Sequence, residues 1–317
     1  MAPRAALPLT VAGVEAIRTR RLRTTATYAA LAAALVLIAI KFAAWLGTGS
    51  VALLASLVDS LVDAAASGVN FLAIRHAMSP ADREHRFGHG KAEPLAALGQ
   101  SAFLVGSALL LLAEAARRLI WPSPIENPPA AITAMVLSIA ITAALVIYQR
   151  HVVRETGSLA VGADELHYRG DLILNAGVIA TIVLSRALSL PILDPIFAAA
   201  AGAWIIYGAI RIVRLSVTQL MDRELPDEER ARIRDIAEDH PGVSAVHDMR
   251  TRAAGPTAFI QLHIEMDGGI SLLAAHQISD AVEAELRRAY PHAEIIIHQD
   301  PAGLEEPPVF PPRVAAR

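Results

Sequence analysis

The chain has 317 residues and no cysteine; 54% of it is hydrophobic, 5% aromatic and 19% charged. Charged residues make up about a quarter of a soluble globular chain, so the composition argues against an ordinary soluble enzyme; a disordered chain is excluded by the apolar content, and thiolate or disulfide chemistry by the missing cysteines. The formal net charge of −3 hides a division: residues 1–221 carry 18 basic and 13 acidic groups, and residues 222–306 carry 8 basic and 18 acidic ones.

Apolar runs dominate the first two thirds. A membrane span needs about 20 mostly apolar residues, and six runs qualify, at 27–46, 51–74, 95–120, 130–151, 159–188 and 191–213. The first is broken only by Lys41. The fifth is the least apolar, because its first half reads ADELHYRGD. The turn GTGS at 47–50 makes the first two spans a hairpin. Prolines at 122, 124, 128 and 129 mark the loop after the third span, and Leu190-Pro191 marks the turn before the sixth. Trp45 and Trp121 fall at span ends, where interfacial indoles collect.

Basic residues set the orientation. Arg4, Arg18, Arg20, Arg21 and Arg23 precede the first span; Arg75, Arg83, Arg86 and Lys91 follow the second; Arg150 and Arg154 follow the fourth; Arg211 and Arg214 end the sixth. The opposite side has only Arg117, Arg118 and Arg186. The positive-inside rule places the N-terminus in the cytoplasm, and an even number of spans returns the C-terminus there. The Arg-rich residues 1–26 lead straight into a full span, unlike a cleavable signal peptide.

From Asp222 onward the composition becomes that of a soluble domain. Residues 226–240 have helical spacing, 244–252 and 258–266 alternate as strands around a turn at 254–256, 271–288 are helical, and 293–298 form a third strand. The order αββαβ predicts a small α+β sandwich with its helices on one face of the sheet. The expected divisions are a cytoplasmic segment 1–26, a membrane domain 27–215, a cytoplasmic domain 216–306 and a Pro-rich disordered tail 307–317.

Three constellations carry chemistry. In the second span, LVDSLVD puts Asp59 and Asp63 one turn apart on one helix face. Carboxylates are costly at that depth unless a cation offsets them; a pair facing a water-filled crevice is the plainer alternative. In the fifth span, HYRGD repeats the spacing with His167 and Asp171. Facing each other, the pairs offer one nitrogen and three oxygens, a set suited to a tetrahedral divalent ion such as Zn²⁺. Zero cysteine argues against Cu(I), and the imidazole weakens the case for Mg²⁺ or Ca²⁺. Arg169, two residues from each ligand, is expected to face away.

The loop DREHRFGHGK supplies Asp82, His85 and His89, with Gly88 and Gly90 letting it fold around an ion; the alternative is a basic loop that only sets orientation. The C-terminal domain offers His247, His263 and His298 on its three strands, with Asp300 two residues on and His276 on a helix, against a reading of scattered surface histidines. Neighbouring strands can bring such residues within bridging distance, as in a binuclear site. His76, His151, His240 and His292 sit at element ends, where no role is expected.

These residues resemble the cation diffusion facilitator family, and within it the bacterial zinc and iron efflux subgroup. The stretches GSVALLASLVDSLVD, FGHGKAEPLAAL, ADELHYRGD, LPDEER, GVSAVHDMRTR and IIIHQDP carry the resemblance, which runs over residues 28–301. Glu165, Arg169 and Gly170 depart from the family pattern.

The resemblance implies an α-helical membrane protein with six transmembrane helices and a cytoplasmic α+β ferredoxin-like domain. It implies a homodimer in the bacterial inner membrane, secondary active rather than enzymatic, that exports Zn²⁺, with Cd²⁺ or Fe²⁺ as alternatives, against protons. The transport site would be Asp59, Asp63, His167 and Asp171, and the loop site Asp82, His85 and His89. A regulatory binuclear zinc site would use His247, His263, His298 and Asp300, completed by His276 and Gln299. Lys91 and Asp222 would form a salt bridge that holds the dimer together.

Three other readings compete. An intramembrane aspartyl protease needs two acids but no histidine cluster. A metal sensor needs only the cytoplasmic site. A passive channel conflicts with a tight four-ligand site. No nucleotide fingerprint is present, and nothing points to nucleic acid.

Overall fold

A computed structural model describes residues 11–48, 51–121, 129–188, 192–255 and 257–303, apart from the side chains at 11–17, 48, 51–53, 55, 59, 118, 129–132, 134–135, 178, 181–183, 185–188 and 194. The expected tail at 307–317 lies outside this set. The chain divides into two compact units, Ile17–Val217 and a second that holds Thr218–Arg317.

The first unit is built from α1 (Val11–Thr48), α2 (Val51–Ala77), α3 (Ala92–Ile120), α4 (Pro129–Thr156), α5 (Leu159–Leu188) and α6 (Leu193–Leu220). Each expected span has its helix. Among the described residues, α1–α4 and α6 are long and apolar enough to cross a membrane, and α5 is not. The position of α5 explains its polarity. It packs against α4, α3 and α2, and Ala163, Asp164, Glu165, Leu166, His167 and Tyr168 are all buried. A helix enclosed by other helices need not be apolar towards lipid, and intramembrane ionisable groups belong in such interiors.

The first helix begins at Val11, well before the expected start at 27. Arginine is a good helix former, and here the basic segment also forms specific ties. The buried Arg23 guanidinium donates to Glu93 at the start of α3 (2.9 Å) and to the carbonyl of Thr156 at the end of α4 (2.6 Å). Arg18 pairs with Glu155 at 3.0 Å. The sixth helix continues past 213 to Leu220, since RLSVTQL contains no breaker. It approaches α5 closely: a Cβ on Gly208 would stand 2.8 Å from the Leu166 side chain.

The second unit runs α7 (Asp227–Glu238), β1 (Ala245–Ala254), β2 (Thr257–Met266), α8 (Leu272–Ala289) and β3 (Glu294–Pro301), the expected αββαβ order. Asp227, Glu228 and Glu229 open α7, while α8 starts on a Ser271 cap and ends on Arg287 and Arg288, charges that suit the helix dipole. The sheet order is β1-β2-β3, with β1 antiparallel and β3 parallel to β2. Ile260, Leu262, Ile264 and Met266 alternate onto one face of β2 and form a core with Ile233, Val282 and Leu286 of the helices. The opposite face of β2 carries Gln261, His263 and Glu265, so the period of two leaves the histidine face clear of the helices.

Candidate metal centres

Helix α2 presents Asp63 and α5 presents His167 and Asp171, one turn apart. Nε2 of His167 lies 3.0 Å from Oδ1 of Asp63 and 3.6 Å from Oδ2 of Asp171. One ligand atom from each of these residues lies within 4.8 Å of the others. In a tetrahedral zinc site, with bonds near 2.0–2.1 Å, ligand atoms stand about 3.3 Å apart, so small shifts would admit an ion. His167 is buried, whereas the carboxylates border open space. A cavity of about 430 Å³ lined by Phe103, Leu104 and Ser107 reaches Asp63, His167 and Asp171 from one direction. A second, of about 210 Å³, lined by Lys41, Ser60 and Asn175, reaches Asp63 and Asp171 from another. Asp59 lies one turn before Asp63 on α2, and its side chain lies outside the described residues. Arg169 is engaged elsewhere: it pairs with Glu165 at 3.4 Å and stacks over the Trp204 ring at 4.8 Å.

The loop between α2 and α3 folds back at Gly88, whose φ is +77°, a conformation that favours glycine. The turn brings His85 and His89 together, ring centroids 4.7 Å apart. Asp82 lies 3.6 Å from Nδ1 of His85 and 3.3 Å from Nε2 of His89. The backbone amide of His85 holds the Asp82 carboxyl below its ordinary range; desolvation opposes this, and the amide of Glu84 and the neighbouring imidazoles add to it. The carboxylate is thus ready as a ligand at neutral pH. His89 is buried, and its Nδ1 has no hydrogen-bond partner among the described residues.

In the second unit, strand register does the assembly. His247 is the cross-strand partner of His263, and His263 of His298, so three histidines form one row over three strands. A bulge at 247–250, with Asp248 at φ 42°, interrupts the pairing beside the row and shifts its register by one residue. The buried Asp300 carboxylate receives all three: His263 at 2.8 Å, His298 at 3.1 Å and His247 at 3.4 Å. A carboxylate with both oxygens engaged and three imidazoles around it fits a divalent metal site, with Asp300 able to bridge two ions. His276 stands apart from the row, exposed and 3.5 Å from Asp280 on its own helix. Gln299 is cross-strand partner to Ile264, on the other face. Lys91 stands at the residue before α3 and makes no side-chain cap, and Asp222, in the second unit, lies 3.4 Å from Arg252.

The description of a cation efflux transmembrane domain matches residues 27–221, and that of the cytoplasmic domain of cation efflux proteins matches residues 225–302. The chain belongs to the cation efflux, or cation diffusion facilitator, family. It is 48% identical over 289 residues to the cation-efflux pump FieF of Serratia proteamaculans, covering 90% of this chain and 94% of that one. It is 48% identical over 280 residues to FieF of Shewanella oneidensis, covering 88% and 94%. Among solved structures, the metal-bound C-terminal domain of the CzcD transporter from Thermotoga maritima is 29% identical, covering 26% of this chain and all of that one at a TM-score of 0.24. Membership makes this a multi-pass membrane protein of the cation-transporting class, with a helical membrane domain and a cytoplasmic domain.

In this cation efflux protein several polar residues beyond the expected ligands bear on the sites. Glu265, two residues after His263 on the same strand face, lies 3.7 Å from His247; the period of two could have pointed to it. His76, expected to have no role, sets its ring 4.4 Å from that of His89. Asp164 is the least foreseeable. Its buried carboxylate accepts from Ser67 of α2 (3.1 Å), Gln100 of α3 (3.1 Å) and Gln149 of α4 (2.6 Å), tying three helices to α5 three residues before His167. Replacing Asp164 with Leu strands those donors, at roughly 1–3 kcal/mol for each group left unsatisfied. The Asp164→Leu protein is expected to melt at clearly lower temperature in detergent, read by fluorescence-detected size exclusion. An unchanged midpoint would refute the clamp.

Proposed function

We propose that the protein is a homodimeric inner-membrane antiporter that exports Zn²⁺, with Cd²⁺ or Fe²⁺ as alternative cargo, in exchange for protons. One observation supports this reading most. Nε2 of His167, the atom that would bind the ion, is the atom that lies against both Asp63 and Asp171. A proton on that nitrogen and a metal ion therefore compete for one place. His and carboxylate ligands bind metal only when deprotonated, and an imidazole exchanges its proton near neutral pH. Asp59 would be the fourth ligand. Two cavities, one lined by α2, α3, α5 and α6 and the other by α1, α2, α4 and α5, border the ligands, and exposure of one such site to the two compartments in turn would give antiport.

The finer assignments belong to this proposal as well. Both termini are cytoplasmic, with the membrane domain at 27–215 and the cytoplasmic domain at 216–306. Asp82, His85 and His89 form a second metal site. His247, His263, His298 and Asp300, with His276 supplied on conformational change, hold regulatory zinc. Lys91 and Asp222 interlock the dimer.

The test is uptake of Zn²⁺, Cd²⁺, Fe²⁺ and Mn²⁺ into proteoliposomes with and without a pH gradient. Zinc uptake should accelerate with an opposing proton gradient and collapse with a protonophore. Gradient-independent uptake would refute antiport. His167→Asp replaces the nitrogen ligand by oxygen, which suits Mn²⁺ better. That variant should lose discrimination against Mn²⁺, and unchanged selectivity would refute the ligand role.

A further inference from the structure

Lys41 interrupts the apolar run of α1 within its candidate membrane span, Arg18–Gly47. Lysines near helix ends commonly extend along apolar surface towards the interface. Lys41 turns inward to α2 instead. Its Nζ donates to Oγ of Ser60 at 2.6 Å and to the carbonyl of Ser56 at 3.2 Å. Ser60 is buried and stands one position from Asp59 and three from Asp63. Lys41, Asp63 and Asp171 line the same cavity of about 210 Å³. A lysine within a span is rare and costly unless it has a task, and here it is held on the helix that carries the aspartates.

We propose that Lys41 is the built-in counter-cation of the transport site, setting its metal affinity by electrostatic competition. The inference rests on reading Asp59, Asp63, His167 and Asp171 as the cargo site. With a neutral imidazole, those four side chains carry three negative charges. A divalent ion leaves one, and the ammonium cancels it, so the loaded site is neutral and cheapest to enclose within the membrane. The empty site together with Lys41 keeps two negative charges, so the lysine offsets more repulsion in the empty site than in the loaded one.

The same ammonium repels the bound ion. Charges that line one cavity interact more strongly there than in bulk water, since the energy scales inversely with distance and effective dielectric. The lysine therefore lowers affinity and helps the ion to leave. A pump must release its cargo each cycle, so a weaker site with a tethered cation suits transport better than a tight one.

The test is Zn²⁺ binding and transport in the full-length dimer, with the loop and cytoplasmic sites removed by Asp82→Ala and His263→Ala. Lys41→Gln keeps an amide able to donate to Ser60 but drops the charge, and Lys41→Met drops both. In whichever folds, zinc should bind roughly tenfold tighter, as expected for one nearby charge removed, while KM and maximal turnover both fall. Lys41→Arg should stay near the parent. A lysine with only a structural role would weaken binding on removal, not tighten it. Unchanged or weaker zinc binding in the uncharged variants, or Lys41→Arg as tight as Lys41→Gln, would overturn the proposal alone. No zinc binding in the parent that retains Lys41 would overturn the site reading and the proposal with it.

Discussion

Replacing Asp63 with alanine should abolish metal transport while leaving a folded dimer. Asp63 is the hinge of the described site: its Oδ1 meets Nε2 of His167 at 3.0 Å, and it borders both cavities that reach the ligands. Loss of a supporting group around a metal typically costs 10–100-fold in affinity, so loss of a ligand should cost at least about 100-fold. Stability should respond differently. Removing one carboxylate from the membrane interior relieves a charge that is expensive there, and Asp63 holds none of the interhelical clamp centred on Asp164. The expected result is zinc flux at background in proteoliposomes, with size exclusion and thermal midpoint near wild type. Asp63→Asn sharpens the point, since it preserves size and hydrogen bonding while removing the charge. Residual proton-coupled flux in either variant would refute the assignment of Asp63.

The parts of this site that sequence revealed are those governed by local periodicity. A spacing of four on a helix puts Asp59 with Asp63 and His167 with Asp171 on common faces, and Gly88 announces a turn between His85 and His89. Hydropathy located α1–α4 and α6 for the same reason. It said least about α5, because that helix is defined by what surrounds it. Burial among α2, α3 and α4 lets α5 carry Asp164, Glu165, His167 and Asp171, and no window of its own sequence contains that fact.

Long-range placement was the harder part. Asp164 acquires its role from Ser67, Gln100 and Gln149, which lie on three other helices. Arg23 read as an orientation signal, yet its partners Glu93 and Thr156 are 70 and 133 residues away. In the second unit the strands were legible but their register was not. The alignment of His247, His263 and His298 depends on the bulge at 247–250 and on a parallel β2–β3 pairing. His276, grouped with them by residue type, lies on a helix beside Asp280.

In the proposed dimer, removing metal from the proposed cytoplasmic site should drive the two domains apart. Residues 222–306 carry 8 basic and 18 acidic groups, a net −10 with histidine neutral. Two such domains repel over distances comparable to the Debye length. Metal at the histidine row and Asp300 would add positive charge at a face that no helix of its own domain covers. The chain contains no cysteine, so one cysteine introduced at the exposed Glu238 takes a spin label uniquely in each protomer. On chelation the distance between labels should widen on the order of the Debye length, roughly 8 Å at 0.15 M ionic strength. High salt should shrink the change, because it screens the repulsion, whereas a contact-driven closure would be insensitive to it. Asp300→Ala removes the carboxylate shared by all three histidines and should hold the domains apart even with zinc present. Asp63→Ala should leave the response intact, since it touches only the proposed transport site. A label distance that ignores both chelation and Asp300→Ala would refute electrostatic coupling of the domains through metal.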